Sequence, residues 1–258
     1  MIAISPVVID VIILSYAKNE ELKQFTIQTI QTLLSSEDPE KIQFNILVLE
    51  SEKKLSPFQF ENTTTIYPEE SFGFNKYLNI GLKYTSGSLI CFCNNDLIFH
   101  KEWATEILSV LKKNDSLLSA STFCPLMSRD SHINANLEAI EGYEGFFSGW
   151  CFLIRRELID QIGYFDEKYS FWYADNDYLR TLNKFQIKNF LIPKAVVTHL
   201  NAVTSKSLNR KEYFYLTMLP QLYFNYKWKR DSYIIYRLKT IYFRLKFGFG
   251  LLPIRKNT

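Results

Sequence analysis

The chain has 258 residues, 47% of them hydrophobic and 22% charged, with only 9 Gly and 8 Pro. A chain this apolar can bury enough surface to offset its ordering entropy, so disorder, collagen-like repeats and low-complexity classes are excluded. The net charge of +3 is unevenly divided: residues 1–199 hold 18 Lys+Arg against 25 Asp+Glu, whereas residues 200–258 hold 12 against Glu212 and Asp231. An acidic body with a basic, aromatic tail predicts that the tail meets something anionic.

The first predicted element is a buried strand, Val7 to Leu14 (VVIDVIIL), rich in β-branched residues. A helix follows SYAKNEE, with Leu22, Phe25, Ile30 and Leu33 at roughly helical spacing. Phe44 to Leu49 reads as a second buried strand and Thr64 to Tyr67 as a weaker third. Residues 74–84 read as a helix and Ser88 to Cys93 as a fourth strand that stops at Asn94-Asn95-Asp96. Trp103, Ile107, Val110 and Leu111 form the next helical stripe. This alternation predicts an α/β fold with a mostly parallel, Rossmann-like sheet covered by helices on both faces. After residue 120 the pattern weakens. A polar loop over 127–146 precedes a strand at Cys151–Ile154, a short helix at Arg156–Ile162 closed by Gly163, and a helix after FWYADNDYLRTL. Two short strands are expected near Asn189–Ile192 and Ala195–Thr198, then a helical appendage over 206–258.

No stretch reaches the ~18 apolar residues of a spanning helix. The opening MIAISPVVIDV carries no basic leader or small-residue cleavage site, which predicts a cytoplasmic protein, free or peripheral on the membrane. Cys91, Cys93, Cys124 and Cys151 form no C-x-x-C pair and read as reduced, buried thiols, with Cys91 and Cys93 on one strand face.

Ligands of a parallel α/β sheet bind at the carboxyl ends of its strands, where Asn94-Asn95-Asp96 lies. A carboxylate there can ligate a hard divalent cation and, through it, a diphosphate; the same tripeptide also suits a plain turn. Asp175 and Asp177 follow the aromatic block Phe171-Trp172-Tyr173 at a helix start. One of them can cap the helix, and one can accept a proton from a sugar hydroxyl. His199 ends a short strand and is either a metal ligand or a satisfied core histidine.

In this order and spacing, these clusters resemble the family 2 glycosyltransferases of GT-A fold, of the bacterial surface-polysaccharide type, over roughly residues 9–205. VIILSYAKNEE is similar to that family's first strand and nucleotide-binding turn. FGFNKYLNIGLKYTSGSLICFCNND resembles the segment entering its D-x-D-type metal motif, here Asn94-x-Asp96. FSGWCFLIRRELIDQIGYFDEKY, ADNDYLR and HLNAVTSKS resemble the segments that follow. The resemblance implies inverting, metal-dependent sugar transfer from a UDP- or dTDP-linked donor to a saccharide or lipid-linked saccharide. In this reading Asp175 is the general base, and Asp96, with His199, holds Mn²⁺ or Mg²⁺. Ser15, Tyr16, Glu50 and Asn95 would lie along the nucleotide, and Asn94, Gly149, Trp150, Trp172 and Asp177 would border the substrates. The chain departs from the family pattern at Glu50-Ser51, Asn94 and Ala174, where acids are usual. A second reading therefore stays open: a non-catalytic adaptor that binds a membrane and a partner enzyme. The turn SYAKNEE lacks the glycine that a dinucleotide-binding oxidoreductase needs, and an acidic body without a reading motif argues against nucleic acid.

The expected organisation is a catalytic domain over 1–205 and a basic helical tail over 206–258. With Arg230 at zero on a helical wheel, Ile241, Ile234, Leu245, Leu238, Tyr242 and Ile235 fall between about 20° and 140°. Arg237 and Arg244 flank one side of that sector and Lys239 and Lys246 the other, a pattern suited to an anionic inner-membrane surface. The same pattern also suits a helix packed on the acidic body.

Overall fold

The computed structural model describes residues 5–55, 57–127, 137–142, 147–200 and 210–247. The expected α/β sandwich is present. Its amino-terminal half alternates β1 (Val7–Ser15), α1 (Glu20–Ser35), β2 (Ile42–Glu50), β3 (Thr64–Ile66), α2 (Phe74–Tyr84) and β4 (Leu89–Asn94). These strands pair in the order β3-β2-β1-β4, all parallel, because each crossover carries the chain back across the sheet before the next strand begins. Their residues are buried on both faces, which is why they read as unbroken apolar runs.

Beyond β4 the sheet becomes mixed. The chain continues through β5 (Leu97–Phe99), α3 (Trp103–Lys113), β6 (Ser119–Phe123), β7 (Ile140–Glu141), β8 (Cys151–Arg155), α4 (Glu157–Ile162), α5 (Ala174–Lys184) and β9 (Asn189–His199). Strand β8 is antiparallel to both β4 and β6, and β9 is parallel to β6 and antiparallel to β5 and β7. The two expected carboxy-terminal strands are one, β9, whose pairing with β6 shifts register between Ile192 and Val196. Pro193 lies in that gap and has no N–H for the ladder. Strands β5, β6 and β7 were not anticipated. In β6, Ser119, Ser121 and Thr122 are fully buried, with Ser119 Oγ 2.7 Å from both Tyr178 Oη and Asn189 Oδ1.

The tail consists of α6 (Arg210–Tyr213), a π-helical turn (Phe214–Met218), α7 (Leu219–Lys227) and α8 (Tyr233–Lys246). The expected boundary at 205/206 and most of the HLNAVTSKS segment lie outside the described residues, as does much of the 127–146 loop.

Two close approaches lock the first layer. Asp10, on β1 and buried, accepts N–H bonds from Ser86 (3.1 Å) and Gly87 (2.6 Å) and so ties the turn before β4 to the sheet. Helix α2 comes so near β1 that a Cβ on Gly81 would lie 2.6 Å from Ile12 Cγ2 and 2.8 Å from its Cδ1. Ile12 is fully buried and β-branched, so it cannot swing away cheaply. Gly81→Ala should cost about 1–3 kcal/mol of stability by overpacking. In a double-mutant cycle with Ile12→Ala, the pair should cost less than the sum of the singles, as read by denaturant unfolding. Strict additivity would contradict the contact.

Candidate active site

Strands β1, β2 and β4 end side by side, Ser15 opposite Glu50 and Leu14 opposite Asn94. Glu50 is fully buried, and its Oε1 accepts the N–H groups of Glu52 (2.7 Å) and Ala17 (3.1 Å), fixing the turn after β1 to the end of β2. Its Oε2 is buried with no hydrogen-bond partner among the described residues, a costly state for a carboxylate oxygen. Tyr16 stands 42% exposed at the mouth of this edge. Ser15, expected along the nucleotide, turns its hydroxyl inward, 2.9 Å from Thr26 Oγ1 on α1. Asn95 Nδ2 donates to the same Thr26 oxygen at 2.9 Å, so Thr26 joins two residues of the expected set from beneath. Nothing in the apolar periodicity of α1 marks Thr26, because a buried hydroxyl looks like any surface threonine in sequence.

The Asn94-Asn95-Asp96 turn is held at both ends. Asn94 N–H donates to the Trp150 carbonyl at 2.9 Å, and Leu200 N–H donates to the Asp96 carbonyl at 3.0 Å. Because β5 pairs with β9 in the register Leu97–His199, the imidazole is delivered beside Asp96: Nε2 is 3.2 Å from Oδ1. The His199 ring stacks on the Trp150 indole, with centroids 5.3 Å apart and planes 14° from parallel. Trp150, expected to border the substrates, is 8% exposed and braces His199. His199 Nδ1 is buried and has no partner among the described residues. An imidazole and a carboxylate within contact distance, both largely desolvated, are a donor set that suits a divalent cation.

Asp175 sits in the first turn of α5, exposed, where the helix dipole favours a carboxylate, and its Oδ1 accepts the Asn176 N–H at 2.8 Å. Gly149 approaches it closely: a Cβ on Gly149 would lie 2.8 Å from Asp175 Cβ. Tyr173, which precedes the helix, has φ 69°, a strained value for an aromatic residue. The tail holds it there. The Tyr173 ring lies 5.1 Å from Phe224, Trp172 N–H donates to the Leu216 carbonyl at 3.2 Å, and Ser170 Oγ donates to the Tyr215 carbonyl at 3.2 Å. Trp172 itself is 47% exposed.

Asp177, expected beside the substrate, lies in the same helical turn as Asp175. Its buried carboxylate receives Lys227 Nζ at 2.8 and 2.9 Å and Trp228 Nε1 at 2.9 Å, both from the tail. Lys227 also bonds Asp166 at 2.9 Å, and Tyr223 Oη donates to the same Asp166 oxygen. Burial works to raise Asp166, but Lys227, the Lys168 N–H and Tyr223 outweigh it and hold the carboxyl below its ordinary value. At Asp177 burial is the larger effect and leaves the carboxyl above its ordinary value despite Lys227 and Trp228.

The four cysteines are free and buried, as expected. The thiols of Cys91, Cys93 and Cys151 meet in the core, where burial pushes Cys91 and Cys93 well up.

The model of "Glycosyl transferase family 2" matches residues 11–163, more than half of the chain, and the chain belongs to that family. A search of curated proteins finds no match. Among solved structures, the chain is similar to GalNAc-T7 with UDP, GalNAc and Mn²⁺ (TM-score 0.61, 13% identity, covering 94% of this chain and 55% of that one). It is similar to the mannosyltransferase PcManGT of Pyrobaculum calidifontis in complex with GDP-Man and Mn²⁺ (0.59, 14%, 93% and 71%) and to S. aureus TarS 1-349 (0.55, 15%, 72% and 58%). The fold is therefore GT-A, and the chain spans about half the length of the GalNAc-T7 chain it matches.

The opposite displacements of Asp166 and Asp177 give them opposite pH signs. Stability from Asp166 is present above the ordinary carboxylate range, about pH 4, and is lost as pH falls through its lowered value. Asp177 works the other way, its burial costing more as pH rises through its raised value. Asp177→Asn should therefore lose stability on acidification from about pH 6 to about pH 3 more steeply than the wild type, and Asp166→Asn less steeply. Chemical denaturation across that range checks this; equal slopes would refute it.

Proposed function

We propose that the protein transfers a sugar from a nucleoside-diphosphate donor to a hydroxyl of a saccharide acceptor, inverting the anomeric centre. The observation that carries this reading is the contact of Asp96 with His199 beyond the end of β4 in a family 2 chain, with Asp175 on the helix that comes up against Gly149. Asp96 and His199 touch at 3.2 Å, and Asp175 approaches Gly149, whose chain neighbour Trp150 stacks on His199.

Asp175 takes the role of general base. Its carboxylate accepts the proton of the acceptor hydroxyl as that oxygen attacks the anomeric carbon from the face opposite the diphosphate. The bond from the anomeric carbon to the diphosphate breaks, and the diphosphate leaves with the electron pair. Asp175 is exposed in the first turn of α5, where an acceptor hydroxyl can reach it. Gly149 leaves room for Asp175 at the point where a larger residue would displace it. Asp96 and His199 would hold Mn²⁺ or Mg²⁺, which when bound neutralises charge developing on the leaving diphosphate. The solved neighbours crystallised with Mn²⁺ and a uridine or guanosine nucleotide support a nucleotide donor and a divalent ion.

Glu50 Oε2 is an acceptor in need of a donor and suits an N–H of the nucleobase, with Tyr16 stacking beside it. UDP- or dTDP-linked sugars are the proposed donors. Ser15 and Asn95 shape the turn through Thr26, and Asn94 joins the metal turn to Trp150. Exposed Trp172 borders the acceptor, proposed to be a lipid-linked saccharide of surface-polysaccharide synthesis at the inner face of the cell membrane. There the enzyme works as a peripheral protein, with residues 1–205 as its catalytic unit and 206–258 as its tail.

Calorimetric titration of UDP, dTDP and GDP, each with and without Mn²⁺, should find one nucleotide whose binding needs the metal and is lost in Asp96→Ala. Asp175→Asn should keep that binding while turnover drops about 10²–10⁴-fold. If no nucleotide binds, the chain is better read as a non-catalytic adaptor.

A further inference from the structure

Helix α8 has two apolar faces, and the fold uses only one. Tyr236, Phe243 and Phe247 point toward the molecule: the Tyr236 ring stacks on Tyr226 of α7 at 5.0 Å, and Phe247 stacks on buried Phe214 at 5.3 Å. On a wheel with Arg230 at zero, this docked face spans about 220–260°. The aliphatic face lies across the helix axis, at about 20–140°. Among the described residues it is open: Ile234 is 70% exposed, Leu238 62% and Leu245 57%, with Ile235, Ile241 and Tyr242 exposed between them. No residue of α8 is buried. Large aliphatic side chains rarely gather on an open surface of a monomer unless something covers them.

The cations indicate what covers them. Arg237 and Arg244 stand at about 320–340°, on one flank of the aliphatic sector, and Lys239 and Lys246 at about 160–180°, on the other. Lys239 is paired with Asp231; Arg237 lies 6.0 Å from the Tyr233 ring and Lys246 5.9 Å from that of Tyr242. Long basic side chains on both shoulders of an apolar strip can rise to a plane of anionic headgroups while the strip sinks between acyl chains. A protein groove would require anions on its two lips at the same spacing, whereas a lipid surface supplies them everywhere. No helix among the described residues is long and apolar enough to cross a membrane, so α8 lies in the interface rather than spanning it.

We infer that the Ile234–Leu238–Leu245 face of α8 is a docking surface for an anionic lipid bilayer. This names the surface behind the peripheral placement proposed above but stands on its own observations. It also orients the site. Helix α8 rests on α7 through Tyr226, and α7 grips Asp177 of α5 through Lys227, so the docking helix is two contacts from the helix that carries Asp175.

The test is cosedimentation of the full chain with vesicles of phosphatidylcholine alone or mixed with phosphatidylglycerol, at low and high salt. The wild type should prefer the anionic vesicles and weaken with salt. Ile234→Gln/Leu238→Gln/Leu245→Gln should bind about tenfold or more weakly, with a melting temperature close to that of the wild type because these side chains are mostly exposed among the described residues. Undiminished binding of the triple variant would overturn the inference. So would a wild type that is dimeric in solution, ignores vesicles and becomes monomeric in the triple variant, since the face would then belong to a second copy. Two further measurements separate docking from catalysis. Asp175→Asn should bind vesicles like the wild type, and the triple variant should keep wild-type turnover on a water-soluble acceptor. Loss of vesicle binding in Asp175→Asn would count against a docking face confined to α8.

Discussion

The carboxylate of Asp177 is buried in the first helical turn after the strained Tyr173, and it can stay there only because the tail comes to meet it. Lys227 and the Trp228 indole each donate a hydrogen bond to it, Lys227 also pairs with its second oxygen at 2.8 Å, and Lys227 reaches on to Asp166. A buried carboxylate without such partners would be strongly destabilising. This contact therefore fixes the position of α5, and with it the direction in which Asp175 points. The hydrophobic packing of Tyr169, Ala174 and Phe224 closes around the same junction.

From that junction the rest of the site can be followed outward. Asp175 meets Gly149, Gly149 precedes Trp150, the Trp150 carbonyl holds the Asn94 turn, and its ring holds His199 against Asp96. The parallel strands β1 and β2 bring Ser15 and Glu50 to the same edge. Each link is short, and the members come from several distant stretches of the chain, so small displacements of one element reach the others. The division of labour follows from burial. Groups that hold the frame, such as Asp10 and Asp177, are enclosed, whereas Tyr16, Trp172 and Asp175 stay open to ligands.

The tail has a double role that its charge alone does not convey. One face of α7 and the π-helical turn complete the core around residues 169–177, and one face of α8 remains open beyond it. Residues expected to form a separate appendage thus support the helix on which the proposed chemistry depends.

Much of the fold was legible in the sequence because strands buried on both faces need continuous β-branched and apolar residues. Strand β6 was not, because its buried serines and threonine are satisfied by Tyr178, Asn189 and the Cys151 carbonyl, partners 29 to 70 residues away. The acidic and histidine positions Asp96, Asp175 and His199 could be picked out by type, order and spacing. Their arrangement could not, since it depends on the β5–β9 register and on a glycine whose missing side chain admits Asp175. Asp177 and Trp150 illustrate the limit most clearly: their neighbours suggested substrate contacts, yet one is held by Lys227, 50 residues on, and the other by the ring of His199. The sequence by itself determined the layered α/β class, the polar residues available for chemistry and the amphipathic character of α8, because these rest on local pattern and composition. Which carboxylate faces solvent, which is locked away, and which face of α8 is left open were decided only by the tertiary structure, because burial and pairing depend on groups far apart in the chain.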